Sequence, residues 1–259
     1  MKIVNPERYQ RLLREAQAAD FSGWDFSWLE GRMIQANPPW DYPNLVRGQM
    51  AGVESLLDLG TGGGEMLASL APLPPDTHAT ESYSPNQAIA RARLAPLGVT
   101  LHITEEDAPR LPFPDERFDL VISRHESYDP QEFFRVLKVG GKLITQQVGG
   151  LDNLELNQVL EEAITFPFTG CSLANDLTKL YEAGFFVKTA EKAALSSTFK
   201  DIGAVVYYLK AIPWQVPGFN LETHARGLIR LHNIIERQGK FIATAHRFLI
   251  EAQKEEAPS

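Results

Sequence analysis

Tyr9, Leu12, Leu13 and Ala16 recur at i, i+3, i+4 and i+7 behind Asn5-Pro6, which predicts an opening helix with a capping asparagine and a first-turn proline. Between Phe21 and Tyr42 the aromatic residues Phe21, Trp24, Phe26, Trp28, Trp40 and Tyr42 fall irregularly among Gly, Asp and Pro, and this stretch reads as a loop-rich cap. From Val53 short apolar runs alternate with helical stripes, which predicts a parallel sheet with helices on both faces. Strands are expected at Val53 to Leu59, Thr77 to Glu81, Val99 to Thr104, Phe118 to Ser123 and Lys142 to Val148. The helices between them run through Met66 and Leu70, from Ser84-Pro85 to Leu94, and from Asp129-Pro130 through Leu137, with Gly140-Gly141 as the stop. Further on, Asp152 with Glu155 predicts a helix to about Ile164, Asp176 to Gly184 a second, Ile202 to Leu209 a third, and Leu221 to Gly239 a long fourth. Strands are expected to begin at Phe185 and to close the chain at Phe241 to Ala252.

This order predicts a doubly wound α/β fold, Rossmann-like, with seven mostly parallel strands, the last antiparallel, and helical insertions near residues 152 to 182 and 200 to 238. No Gly/Ser-rich or charge-rich linker divides the chain. The layout expected is an N-terminal cap over 1–50, an α/β core over 51–150, the remainder of the same domain over 151–253, and a tail over 254–259. The 44% hydrophobic content suits such a core. A formal net charge of −8 works against a polyphosphate partner, whose affinity comes from neutralising phosphates. The single Cys171 cannot form an internal disulfide, and the charged stretch from Lys2 to Glu15 has no signal-peptide apolar region. With no apolar run of roughly 18 residues, the expectation is a cytoplasmic protein with no membrane partner.

The densest chemical signal is Leu56-Leu57-Asp58-Leu59-Gly60-Thr61-Gly62-Gly63-Gly64, an apolar strand ending in an acidic residue and a glycine turn. Glycines there let a ligand approach the backbone at the carboxyl end of the first core strand, where open α/β sheets bind. A dinucleotide-binding turn would place its third glycine at position 65, which is Glu65, and a carboxylate at that helix N-terminus repels pyrophosphate.

An acidic residue followed by G-x-G-x-G resembles the first motif of the class I S-adenosylmethionine-dependent methyltransferases, near the methyltransferase domain 11 type, with Asp58, Gly60, Gly62 and Gly64 in register. The resemblance extends from about Val53 to Gly149. It implies S-adenosylmethionine as cofactor. It implies that Glu81, closing the second core strand, binds the ribose hydroxyls through its paired acceptor oxygens. It implies that Asp107 meets the adenine amino group and that the N–H of Ala108 reaches a ring nitrogen, with Leu111, Phe113 or Tyr83 packing nearby. Arg124 matches a position whose backbone touches cofactor, and the loop Ser123-Arg124-His125-Glu126-Ser127 then faces the methyl group. His125 reads as the catalytic candidate, as a base or an acceptor ligand, beside the alternative of a structural histidine. Gln146 and Gln147 could bind acceptor or cap strand ends.

Asn37-Pro38-Pro39-Trp40 matches a signature of enzymes that methylate base amino groups, where it follows a hydrophobic strand equivalent to the fourth. Gly31 to Ala36 does not read as such a strand, so the segment is taken as a cap turn with a packing aromatic. His78, His102, His224, His232 and His246 show no ligand-like spacing, so no metal is expected. The activity implied is methyl transfer to an oxygen or nitrogen of a small-molecule acceptor. The rivals are a nucleobase methyltransferase and a non-catalytic S-adenosylmethionine-binding protein.

Overall fold

The computed structural model describes residues 2–22, 24–105, 110–160 and 168–256. The helices are α1 (Pro6–Ala18), α2 (Tyr42–Gln49), α3 (Glu65–Ser69), α4 (Ser84–Leu94), α5 (Pro130–Val136), α6 (Leu154–Leu160), α7 (Leu173–Ala183), α8 (Ile202–Ala211) and α9 (Ala225–Gln238). The strands are β1 (Met33–Gln35), β2 (Ser55–Leu59), β3 (Asp76–Glu81), β4 (Thr100–Ile103), β5 (Phe118–Arg124), β6 (Leu137–Val148), β7 (Phe185–Phe199) and β8 (Phe241–Lys254). They form one sheet in the order β1-β7-β8-β6-β5-β2-β3-β4. β2 pairs in parallel with β3 and with β5, β3 with β4, and β5 with β6. The chain therefore reverses its winding beside β2, which opens a crevice at the carboxyl ends of β2 and β5.

Two expectations are corrected. The sheet has eight strands, not seven, because Met33–Gln35 pairs antiparallel with Ser197–Phe199 of β7. Three residues with Ile34 and Gln35 exposed carry no hydrophobic run, so only the partner strand makes this edge. Gly140-Gly141 does not stop a helix: α5 ends at Val136 and the two glycines lie inside β6. A side chain at Gly141 would stand 2.7 Å from the Lys138 carbonyl oxygen, where β6 shifts register against β5. The portion of the 152-to-164 helix beyond Leu160 lies outside the described residues.

The chain divides into two compact units interleaved in sequence. One comprises Met1–Pro38, Gly149–Gly170 and Ala193–Arg247, the other Pro39–Val148, Cys171–Lys192 and Phe248–Ser259. In the first, the α1 stripe of Tyr9, Leu12, Leu13 and Ala16 is buried with Ile202, Val205 and Leu209 of α8 and Leu228, Leu231 and Ile235 of α9. Asp201 caps α8 by accepting the Ala204 N–H at 2.9 Å, and Arg32 donates to its two oxygens at 2.8 and 2.7 Å. Trp28 stacks on the buried Tyr207, with ring centroids 4.6 Å apart.

The second unit holds the crevice. Its core joins Leu57 of β2, Val121 of β5 and Leu143 of β6 to Phe133 of α5 and to Phe248 and Ile250 of β8. Each fully buried side chain of this kind contributes about 1.5–3 kcal/mol, so the strands are rigid mounts for the loops at their ends. Asp129 and Ser172 cap α5 and α7 by accepting the N–H groups of Gln131 and Asn175, and Gly184 closes α7 with φ +99°. Leu156 and Leu160 of α6 are buried in the first unit.

Candidate functional site

The glycine turn leaves β2 with three positive φ values, +66° at Gly60, +63° at Gly62 and +80° at Gly64. The Gly60 N–H donates to Thr80 Oγ1 at 3.1 Å and the Thr61 N–H to the Thr80 carbonyl at 2.9 Å, so the end of β3 fixes the turn. A side chain at Gly60 would run into Glu126, and one at Gly64 would stand 2.8 Å from Leu94 Cγ of α4. Glu65 opens α3 and pairs with Arg93, which also donates to the Gly63 carbonyl. Its carboxylate lies where a side chain at Gly63 would be, directly on the turn. That placement sets negative charge against a pyrophosphate.

Glu81 ends β3 and is 4% exposed. Its Oε1 accepts the Tyr83 N–H at 2.7 Å, and the N–H groups of Gly62 and Ser82 and the side chain of Asn86 also favour the charged form. Burial nevertheless raises its pKa, because desolvation of the charge outweighs these donors. Asn86 is 1% exposed, and its Oδ1 has no partner among the described residues. In the interior of β2, burial pushes the Asp58 carboxyl up to about 7, with the negative charge of Glu81 adding to it and Arg124 opposing it. The structure thus gathers Asp58, Gly60, Gly62, Glu81 and Arg124 at one sheet edge. Gly64 sits one turn further on, as the N-cap of α3.

Beyond β5 the chain turns sharply, with His125 at φ +62° and its ring exposed. The His125 N–H donates to the Gln146 carbonyl at 2.8 Å. Gln146 Nε2 lies 3.0 Å from His125 Nε2, and Trp40 Nε1 donates to Gln146 Oε1 at 2.7 Å. Gln147 Nε2 donates to the Glu126 carbonyl at 3.0 Å, while Tyr42 donates to the Ser123 carbonyl at 3.2 Å. Two adjacent glutamines at the end of β6 therefore hold the β5 loop from below. No local sequence pattern joins Trp40 to Gln146. Trp40 stands 106 positions from Gln146, and the Asn-Pro-Pro-Trp spacing was the one signal near it.

A cleft in this unit is lined by Leu59, Gly60, Ser82, Glu105, Glu126 and Tyr128 among others. Asp107 and Ala108 lie outside the described residues. The flanking segment is tied down, since the Leu111 N–H donates to Glu132 Oε2 at 2.7 Å and Arg135 donates to the Phe113 carbonyl at 2.7 Å. Tyr83 is exposed and Phe113 is buried in the core. His78 and His102, read as unrelated, are brought together by the parallel β3–β4 pairing, with Nδ1 and Nε2 2.8 Å apart and Asp76 3.0 Å from the other nitrogen of His78. His78 thus bridges His102 and Asp76, and among the described residues no cluster of three or more His, Cys, Asp or Glu is arranged to hold a metal. No described helix is long and apolar enough to cross a membrane.

Residues 57–145 match the family model described as a methyltransferase domain. The ubiquinone/menaquinone biosynthesis C-methyltransferase UbiE of Laribacter hongkongensis is 39% identical over 72 residues, 25% of this chain and 30% of that protein. UbiE of Chromobacterium violaceum is 32% identical over 114 residues, 40% of this chain and 47% of that protein. The chain thus spans less than half the length of these curated relatives. Among solved structures, BH2331 of Bacillus halodurans C-125 superposes with a TM-score of 0.62 at 21% identity over 83% of this chain and 99% of that one. The cyclase SpnF superposes with a TM-score of 0.52 at 18% identity over 97% and 94%. Matched segment, strand order and glycine turn agree: residues 57–145 match a methyltransferase domain, on a fold shared with these solved structures.

Proposed function

We propose that the chain transfers the methyl group of S-adenosylmethionine to a small-molecule acceptor. The observation that carries this reading is Glu81, a buried carboxylate at the end of β3 that accepts the Tyr83 N–H at 2.7 Å and is stabilised in its charged form by the Gly62 N–H of the glycine turn. The residues fit the cofactor. Glu81 would accept the two ribose hydroxyls, and the orphaned Oδ1 of Asn86 adds an acceptor beside it. The turn from Gly60 to Gly64 and the end of β5 at Arg124 would hold the amino-acid end, with Asp58 beneath them. Asp107 and Ala108 remain the residues assigned to the adenine.

When bound, the cofactor supplies an activated methyl group on a sulfonium. The protein's contribution is then alignment and exclusion of water, so no catalytic triad is needed. His125 stands on the acceptor side, at the turn that β5 directs past the glycine loop. The acceptor atom is an oxygen or a nitrogen in our reading. Carbon is the second reading, favoured by the two UbiE relatives, which are named as C-methyltransferases. Two observations support a small molecule over a nucleobase: the net charge of −8, and the commitment of Trp40 to a buried hydrogen bond instead of an open stacking face.

The fold is shared with a protein named as a cyclase, so cofactor binding alone does not establish transfer. The test is methyl transfer from isotopically labelled S-adenosylmethionine to a metabolite extract and, in parallel, to total RNA. Label in a small-molecule fraction supports the proposal. Label in RNA alone, or binding without any transfer, contradicts it.

A further inference from the structure

Trp40 Nε1 carries a hydrogen and can only donate, so the Gln146 atom 2.7 Å from it is the carbonyl oxygen Oε1. The amide NH₂ of Gln146 therefore faces His125 Nε2, 3.0 Å away. An NH₂ can only donate, so Nε2 must be the acceptor. The hydrogen of the neutral imidazole then resides on Nδ1. Reversing this would set two donors against each other or force the amide to turn, which would set its NH₂ against the Trp40 N–H. Trp40 and Gln146 are both more than nine-tenths buried, so solvent cannot relieve either clash. Resting on the methyltransferase reading, we propose that Trp40 and Gln146 are positioning residues that lock His125 as its Nδ1–H tautomer. With Nε2 accepting from Gln146 and Nδ1 carrying the hydrogen, neutral His125 has no basic lone pair with which to take a proton from the methyl acceptor.

This narrows the acceptor. Its nucleophile would reach the cofactor without losing a proton to His125. The Gln146 backbone carbonyl also accepts the His125 backbone N–H, so one residue holds both the main chain and the ring of His125.

The tautomer can be read directly by long-range ¹H–¹⁵N correlation on histidine-labelled protein, with His125 assigned by its loss in His125→Asn. The expected wild-type pattern is a pyrrole-like Nδ1 and a pyridine-like Nε2. Gln146→Glu replaces the amide with an isosteric carboxylate that accepts from both neighbours, so Nε2 should become protonated. Trp40→Phe should leave a mixture of tautomers, because nothing then orients the amide. A pyrrole-like Nε2 in wild type, or an unchanged His125 pattern in a folded Gln146→Glu protein, would overturn the proposal. If Gln146→Glu fails to fold, the wild-type pattern alone still decides. The measurement needs neither cofactor nor acceptor, so its outcome is separate from that of the methyl-transfer assay.

Discussion

The backbone N–H of Tyr83 donates to Glu81 Oε1 at 2.7 Å, so the chain folds back onto the carboxylate that ends β3 before α4 begins. That bond aims the carboxylate, and the N–H groups of Gly62 and Ser82 favour its charged form. Glu81→Ala removes the acceptor pair without emptying a hydrophobic core. Charge-assisted hydrogen bonds contribute roughly 1.5–3 kcal/mol, so S-adenosylmethionine affinity measured by calorimetry should fall roughly ten- to a hundredfold. Unchanged affinity would mean that another residue holds the ribose.

Asp58 sets a pH dependence of known sign. Its carboxyl is pushed from 3.8 up to about 7 by burial and by Glu81, so the native state holds a proton that the unfolded chain releases at lower pH. Stability from this source is complete below the unfolded value and is lost as pH rises through about 7. Asp58→Asn is neutral throughout and lacks this loss. Its urea midpoint relative to wild type should therefore rise between about pH 5 and about pH 8. Parallel pH profiles for the two proteins would contradict the raised value.

Legibility in the sequence followed burial. Leu56–Leu59 and Leu120–Ser123 are buried throughout, which makes them predominantly apolar runs that pattern alone can find. Met33–Gln35 is an edge strand three residues long and half exposed, so its strand state exists only through its partner. Gly140-Gly141 imitates a helix stop because glycine serves equally where a strand kinks. At the proposed site, the placement of Asp58, Gly60, Gly62 and Glu81 at strand ends is legible from the apolar runs and the glycine turn. The Trp40–Gln146–His125 chain and the His78–His102 contact are not, since the sheet brings together residues far apart in sequence.

Gly64 joins the turn to the packing of α4. An alanine there would take φ +80° and meet Leu94, so Gly64→Ala should destabilise the fold by about 2 kcal/mol, read as a lowered urea midpoint. Gly64→Ala combined with Leu94→Ala should recover less than the steric part, because the backbone strain remains and Leu94 is fully buried. A stable single variant would show that the turn is not held in this conformation.

His125 discriminates donor from base. Asparagine tolerates its left-handed φ and retains an N–H donor, whereas alanine retains none. If His125 donates, His125→Asn should keep most of the turnover and His125→Ala should raise the apparent acceptor KM. A general base would instead make both variants lose roughly 10²- to 10⁴-fold in kcat.

The central claim is that this crevice binds S-adenosylmethionine, and thermal denaturation with ligand tests it most directly. A ligand at about 100 times its Kd that binds only the native state adds roughly 2.7 kcal/mol, which for a chain of this length is about 5–10 °C in Tm. S-adenosylmethionine or its demethylated product should produce that rise and a nicotinamide dinucleotide should not. A rise with the dinucleotide and none with either sulfur compound would contradict the account.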